Sequence, residues 1–437
     1  MNPVNIGIVG LGTVGAGTVN VLRRNADEIA RRAGREIRVT HAVVQDPDKQ
    51  RDCDISAFEL TTDPFEITDN PSIDVVVELM GGEVLAKDVV MRAIANGKHV
   101  VTANKALIAI HGNEIFESAQ LHGSMVAFEA AVGGGISIIK AIREGLAGNR
   151  IESLAGIING TGNYILTGMS DGGSEFSDML ADAQQLGYAE ADPTFDVEGI
   201  DAAHKLTILA SIAYGIPLQF DKVYTEGISH ITQEDIVHAA ELGYRIKHLG
   251  IAARTNAGIE LRVHPCLVPQ RALLANVDGV MNAILVNGDA VGPTLHYGSG
   301  AGAEPTASAV VADLVDVVRA LTTDPGNRVP HLAFQPGAMS DLPVLDMEQV
   351  ETAYYLRLNV VNRPGVLAEI TRVLGDLGIS IEAILQKGSG VAEDVLPIII
   401  LTQRTVESGM DKALEQLKSL ATTIGDVTRI RLEQITD

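Results

Sequence analysis

The sequence predicts an α/β chain: a doubly wound parallel sheet first, an α+β middle, and a C-terminal fold of ferredoxin-like order. Three observations predict it. Apolar strand-like runs alternate with helical segments over the first hundred residues, the pattern of a parallel sheet. A GxGxxG stretch, with glycines at 10, 12 and 15, joins the first such run to the first helix. After a proline-dense stretch the pattern restarts as β-α-β-β-α-β.

Taken in order, Val4 to Val9 reads as a short buried strand, followed by GLGTVGAG and the helical TVNVLRRNADEIARRA. Ile37 to Val44, Ile73 to Glu78 and Lys98 to Thr102 read as further strands. Ala86 to Asn96 reads as a helix stopped by Gly97, a C-cap glycine. In the middle, Ser177 to Leu186 and His204 to Tyr214 read as helices, and Ile259 to Val263 and Ala283 to Val286 as strands. Thr306 to Leu321 is a long apolar helix after GSGAGAEP. Residues 323 to 350 hold four prolines, at 325, 330, 336 and 343, which suggests a linker. Then come strand Tyr354 to Val360, turn NRPG, helix Val366 to Leu377, strands Ile379 to Leu385 and Val395 to Thr402, helix Met410 to Leu420 and strand Thr428 to Leu432. The domain expectation is 1–133, completed by 301–330; then 134–300; a linker over 331–350; and a last domain over 351–437.

Composition narrows the function. In 437 residues, 33 basic against 56 acidic side chains give a net charge of −23, which repels nucleic acid and anionic membranes. Cys53 and Cys266 are the only cysteines and have no metal-site spacing, so a reducing compartment is expected. No signal peptide and no membrane-length apolar run are visible. The chain reads as soluble and cytoplasmic.

Gly10, Gly12 and Gly15 lie between a strand and a helix. There they permit a tight turn and close approach of a dinucleotide pyrophosphate to the helix N-terminus. Cofactor choice stays open. Asp46, past the second strand, could accept from a ribose 2′-hydroxyl and favour NAD; Lys49 or Arg51 could neutralise a 2′-phosphate and favour NADP, or be plain surface charge.

The stretch Ala183 to Lys205, AQQLGYAEADPTFDVEGIDAAHK, is the most specific. Asp201 and Lys205 share one helix face at i,i+4. They open an apolar helix in which a lysine must be paired, hydrated or used for chemistry. An ordinary salt bridge is the plainer reading. Glu190, Asp192, Asp196 and Glu198 precede them; the last three suit a solvated loop or, alternatively, caps and supporting contacts.

This stretch resembles the homoserine dehydrogenase signature at Ala183, Gly187, Tyr188, Ala189, Asp192, Pro193, Asp196, Gly199, Asp201 and Lys205. The likeness extends from residue 4 to the C-terminus. It implies hydride transfer between NADP or NAD and L-aspartate 4-semialdehyde or L-homoserine, a step in threonine, methionine and isoleucine biosynthesis. Residues 100–107, VVTANKAL, resemble the family's active-site lysine segment, here Lys105. The resemblance implies Lys205 as proton donor and acceptor with Lys105 beside it, an ammonium being able to stabilise the alkoxide and protonate it. Two lysines at one site, partly buried, lower each other's pKa. Glu190 and Asp201 are the implied substrate-binding residues.

Cofactor contacts are implied at Gly10, Gly12, Thr13, Val14, Gly15, Val44, Gly81, Ala103, Lys105, Gly187 and Gly302. Gln45 departs from the arginine common near that position in relatives. EAAVGGGISII, residues 129–139, resembles the family's Na⁺ or K⁺ loop, with a side-chain oxygen from Glu129 and carbonyls of Val132, Gly134 and Ile136. A structural turn is the other reading of that loop. NGTGNYIL, from Asn159, suits a pocket lining. RPGVLAEITRVLGDLGISI resembles the ACT regulatory domain and implies an amino-acid effector, threonine first, and a homodimer or homotetramer. Two other functions remain: a nicotinamide enzyme for a different amino-acid aldehyde, and a non-catalytic amino-acid-responsive regulator.

Overall fold

The computed structural model describes residues 2–386 and 394–435. It divides into two compact units: residues 1–154, 201–223 and 280–342, and residues 155–200, 224–279 and 343–437. Among the described residues no helix is long and apolar enough to cross a membrane.

The first unit is built on a six-stranded sheet whose order is Glu59–Thr61, Ile37–Val43, Val4–Val9, Val75–Glu78, His99–Thr102, Val126–Ala127. All neighbours are parallel. The strands are short Val/Ile runs because helices cover both faces, leaving Ile6, Ile8, Val75 and Val77 without solvent contact. Strand order reverses beside Val4–Val9, so the crevice for a ligand opens at the end of that strand, where Gly10 stands. The helix expected after the loop is two, Thr13–Arg24 and Ala26–Ala33. Asn25 leaves helical geometry between them. Helix Ala303–Ala320 packs on the first of these and adds Ala307, Val310, Leu314 and Val317 to the sheet's core.

Helix Lys105–Leu121, helix Ile200–Tyr214 (its first residue in the second unit) and the hairpin Met281–Gly288/Gly292–Ser299 complete this unit. The proline-dense stretch is tied down rather than loose. Arg328 Nη1 donates to the Gly123 carbonyl at 2.7 Å, the Val126 amide to His331 Nε2 at 3.1 Å, and the Ser340 amide to the Gly215 carbonyl at 2.6 Å.

The second unit carries the antiparallel pair Tyr244–Arg254 and Ile259–Pro269. Strand Thr423–Leu432 joins it in parallel, Cys266 opposite Arg431 and Leu267 opposite Leu432. Glu351–Val361, Val395–Thr402 and Ile381–Gln386 follow outward in antiparallel order. With helices Val366–Asp376 and Glu407–Ser419 this is the expected β-α-β-β-α-β arrangement, in strand order 4-1-3-2.

Successive strand residues face opposite sides, and here both sides are buried. Tyr354, Leu356, Leu358, Ile398 and Ile400 pack on those two helices. Tyr355, Ile399, Leu401, Ile430 and Leu432 share a core with Ile165, Leu166, Met169, Ala183, Ile236 and Ala239. The latter come from helices Gly160–Gly172, Phe176–Gln185 and Gln233–Glu241. Among the described residues, both faces of the C-terminal sheet are thus covered, and strand Thr423–Leu432 continues the neighbouring sheet.

Two buried ion networks reinforce the junction. The fully buried Asp235 accepts from Arg357 Nε at 2.6 Å, from Tyr355 Oη at 3.1 Å and from Thr232 Oγ1 at 2.6 Å. Arg431, also without solvent contact, donates to Glu226 at 2.7 Å and Glu407 at 3.0 Å.

Candidate active site

Each glycine of the loop after Val4–Val9 has a distinct steric reason. Gly10 has φ +105°, and a Cβ there would lie 2.7 Å from the Leu79 carbonyl oxygen. A Cβ on Gly15 would lie 2.1 Å from the Gly10 oxygen. A Cβ on Gly17, which sequence reading passes over, would lie 2.6 Å from the Ala303 carbonyl oxygen. Gly12 faces open space at the helix start, beside exposed Thr13 and half-buried Val14. Open space before uncapped helix amides is what a pyrophosphate requires. Val44 is buried at the end of the second strand. Just beyond it, Arg51 donates to the carbonyls of Asp46 and Lys49, while the Asp46 carboxylate accepts the Asp48 amide at 2.9 Å.

A brace unseen in the sequence fixes the next two strand ends. The buried Glu78 carboxylate accepts from Thr102 Oγ1 at 2.6 Å and from the Met80 amide at 2.9 Å. Burial pushes this carboxyl up, against those hydrogen bonds. Asn104 donates to the Gly82 carbonyl at 2.6 Å and caps helix Lys105–Leu121 by accepting the Leu107 amide at 3.1 Å. Gly81 (φ +74°), Ala103 and Lys105 are thereby set at the carboxyl edge of the sheet.

Lys105 and Lys205 meet through Asp201. Lys105 Nζ lies 2.8 Å from Asp201 Oδ1, and Lys205 Nζ lies 2.8 Å from Oδ2. The expected Asp201–Lys205 salt bridge is thus present, and Lys105 joins it. The Asp201 and Lys205 side chains are only 4% and 10% exposed, whereas that of Lys105 is 35% exposed. Burial alone would raise the Asp201 carboxyl. Lys205 and then Lys105 outweigh it and hold the group well below the usual carboxylate range. Two ammoniums against one carboxylate leave this trio with one positive charge in excess. His204 lies on the same helix, its ring 4.2 Å from that of Phe220. Burial lowers its pKa to about 4, so it is neutral near pH 7.

In the 129–139 loop, Glu129 is buried and its carboxylate accepts the Ile139 amide at 2.8 Å and the Lys140 amide at 2.9 Å. Gly133 and Gly134 have φ of +73° and +52°, so the turn needs glycine there. The Ile136 carbonyl accepts the Ile138 amide at 2.8 Å, and the Gly135 amide donates to the Ser299 carbonyl at 2.9 Å. A Cβ on Gly134 would lie 2.5 Å from the Gly300 oxygen, which stacks this turn on the loop ending at Gly302 (φ +128°), the N-cap of Ala303–Ala320. Asp313, which no sequence signal singles out, accepts the Glu129 amide at 2.8 Å. Burial pushes the Asp313 carboxyl up to about 7, with Lys140 opposing and Glu129 adding to the rise.

The remaining candidates belong to the second unit. Glu190 is exposed, on a loop held by Gln184 Nε2 donating to the Glu190 carbonyl at 3.1 Å and Thr161 Oγ1 to the Tyr188 carbonyl at 2.7 Å. Gly187 (φ +75°) ends helix Phe176–Gln185, a sufficient structural reason for its glycine. Asp192 accepts the Thr194 amide at 3.1 Å, Asp196 accepts Asn159 Nδ2 at 2.8 Å, and Glu198 accepts Ser229 Oγ at 2.8 Å. These are capping and supporting contacts rather than a merely solvated loop. Asn159 itself caps helix Gly160–Gly172 by accepting the Gly162 amide at 2.7 Å. Among the described residues, His264, Cys266 and Glu433 form the one cluster with metal-ligand reach. Arg262 donates to both His264 and Glu433, and so puts a cation where a metal would sit.

Family comparison matches this geometry. Residues 10–129 match the model described as homoserine dehydrogenase, NAD binding domain; residues 138–315 match homoserine dehydrogenase, and 354–422 the ACT domain. The chain is 63% identical to a homoserine dehydrogenase of Pseudomonas aeruginosa, with all of both chains covered. It is 53% identical to one of Neisseria gonorrhoeae, again over the full length of both. A crystal structure of a homoserine dehydrogenase from Thiobacillus denitrificans superposes with a TM-score of 0.95 at 63% identity, covering 99% of this chain and 98% of that one. A hyperthermophilic archaeal homoserine dehydrogenase mutant in complex with NADPH superposes with a TM-score of 0.62 at 26% identity, covering 72% of this chain and 98% of that one.

Proposed function

This chain belongs to the homoserine dehydrogenase family, which interconverts L-homoserine and L-aspartate 4-semialdehyde with a nicotinamide cofactor, and on that premise we propose how its residues divide the work. The observation that carries the proposal is the Lys105–Asp201–Lys205 bridge, both ammoniums at 2.8 Å from one buried carboxylate. The nicotinamide supplies or takes the hydride at its C4. Lys205, as the ammonium, gives the proton to the alkoxide oxygen in the reducing direction and, as the neutral amine, takes it from the homoserine hydroxyl in the other. Lys105 stabilises the developing negative charge, for which the excess positive charge of the trio is suited. Asp201 holds both ammoniums in place and keeps acceptor capacity for the substrate hydroxyl. Homoserine-dependent cofactor reduction by the purified protein is the direct test. Its absence, with other amino alcohols oxidised instead, would favour the reading as an enzyme of a different aldehyde.

Glu190 is proposed to bind the substrate ammonium, supported by its exposed carboxylate on the family-like stretch. Glu190→Gln should raise KM for homoserine about tenfold, the scale of one charged hydrogen bond, with Tm unchanged. A fall in Tm without a KM change would make Glu190 structural. The cofactor contacts are proposed at the glycine loop, Val44, Gly81, Ala103, Lys105, Gly187 and Gly302. Either NADP or NAD is accepted in this reading: Arg51, folded over the turn after the second strand, serves a 2′-phosphate, and Asp46 serves a 2′-hydroxyl.

A Na⁺ or K⁺ site is proposed at Glu129, Val132, Gly134 and Ile136. The residues fit in kind, because Glu129 buries a carboxylate beside a turn of carbonyl oxygens, the hard oxygen donors that an alkali cation takes. In wild type, Tm should rise by a few degrees in Na⁺ or K⁺ over tetramethylammonium at matched ionic strength. Glu129→Gln should reduce that rise. Equal melting of wild type in all three salts would remove the site.

The ACT fold is proposed to bind threonine at the start of helix Val366–Asp376, after Gly365 (φ +96°), where helix amides suit a carboxylate. A homodimer or homotetramer is supported by the sheet-edge strand Ile381–Gln386, with Ile384 40% exposed. The two free cysteines fit a cytoplasmic location.

A further inference from the structure

We propose that the loop Tyr224–Ser229 positions the substrate segment, and that the last strand of the chain sets this loop. The inference rests on the reading above, that the segment containing Glu190 recognises substrate. At one end the loop is tied to the C-terminal strand. Glu226 accepts from Tyr224 Oη at 2.7 Å and from Arg431 Nη1 at 2.7 Å, and Arg431 Nη2 donates to Tyr224 Oη at 3.1 Å. Arg431 is a wholly buried charge, so its partners are obligatory rather than optional.

At the other end the loop grips residues 197–199. The Ile228 amide donates to the Val197 carbonyl at 2.9 Å, and Ser229 Oγ to Glu198 at 2.8 Å. A Cβ on Gly227 would lie 2.7 Å from the Val197 oxygen, so only glycine allows this approach. A buried histidine wedges the arrangement from the side. His248 Nε2 donates to the Glu226 carbonyl at 2.9 Å, and its Cε1 lies 3.0 Å from where a Cβ on Gly199 would stand. Residues 197–199 close the segment that begins with Glu190. A shift of Arg431 therefore moves Glu226, the loop, and the backbone of the segment that carries Glu190. Tyr224, Glu226, Ser229 and Arg431 act through other residues and are positioning residues.

The test uses the full-length protein with Tyr224→Phe, which removes the hydroxyl between Arg431 and Glu226, and Ser229→Ala, which releases Glu198. Each variant should raise KM for homoserine by about threefold to tenfold, the range for mutations along a coupled network. The cofactor KM and kcat should stay within about twofold, and Tm within a few degrees. The double variant should raise KM by less than the product of the single effects, because both cut one connection. A homoserine KM unchanged in both single variants overturns the proposal, as does a cofactor KM that rises in step. Glu190→Gln separates the causes. If it raises KM while the loop variants do not, the relay fails and the substrate reading stands. If none of the three changes KM, both fail.

Discussion

Lys205→Ala should lower kcat for homoserine oxidation by at least about a hundredfold, the usual scale for a lost acid–base group. Its ammonium is the more buried of the two on Asp201, and so the one whose proton the solvent replaces least readily. Lys105→Ala should lower kcat on a similar scale through the lost stabilisation of alkoxide charge. Removing Lys205 also leaves Asp201 buried with one cation instead of two, so some loss of Tm is expected. Lys205→Arg controls for that loss. It keeps a cation beside Asp201 but cannot release a proton near neutrality, so it should be folded and still slow. Cofactor binding, followed by nicotinamide fluorescence, should survive in Lys205→Ala because the Gly10–Gly15 loop does not depend on it. Near-normal turnover in either Lys205 variant would end the assignment.

A chain ending at residue 345 should fail to fold its second unit. Such a truncation removes Tyr355, Ile399, Leu401, Ile430 and Leu432 from a shared core, and each buried side chain of this kind contributes about 1.5–3 kcal/mol. It also strips Arg357 from Asp235 and Arg431 from Glu226. An orphaned buried charge costs about 3–5 kcal/mol. Together these exceed the about 5–15 kcal/mol by which whole domains are stable. The expected product is insoluble, or soluble with dye-binding apolar surface and no cooperative melting. A soluble fragment melting within a few degrees of wild type would show the C-terminal fold to be separable after all. Acid probes the same junction. Asp235, Glu226 and Glu407 are pushed up by burial, but their arginines win and hold all three below ordinary carboxyl values. Their contribution is thus complete above about pH 4 and is lost as pH falls through the depressed values.

Local patterns are legible in the sequence where a single element decides the outcome. The first strand and the β-α-β-β-α-β order follow from apolar runs and punctuation by Gly and Pro. The pairing of Asp201 with Lys205 follows from i,i+4 spacing on one helix. Lys105 is placed by resemblance alone, since nothing in the spacing of residues 105 and 201 says that they meet. The Glu78–Thr102–Asn104 brace and the Asp313 contact join residues distant in sequence, and no local pattern announces them. Asn104 is the exception: an asparagine directly before an apolar helix is an N-cap signal. Proline density marks irregular backbone, not freedom: the 323–350 stretch is held by Arg328, His331 and Ser340. Arg357 and Arg431 stand in apolar strands, and a charge there signals a buried partner elsewhere.

The position of Thr423–Leu432 also constrains how the protein is made. Ile259–Pro269 gains this parallel neighbour only after roughly 160 further residues have been made, because Cys266 and Leu267 pair with Arg431 and Leu432. At the ribosome's pace of about 5–20 residues per second, that edge waits roughly ten to thirty seconds for its partner. During synthesis the part of that edge beyond its pairing with Tyr224–Thr225 is able to pair with a neighbouring nascent chain, so aggregation during translation, and chaperone demand, should concentrate in this interval. Product released early, by a premature stop or a broken message, lacks the closing strand and remains open to proteolysis.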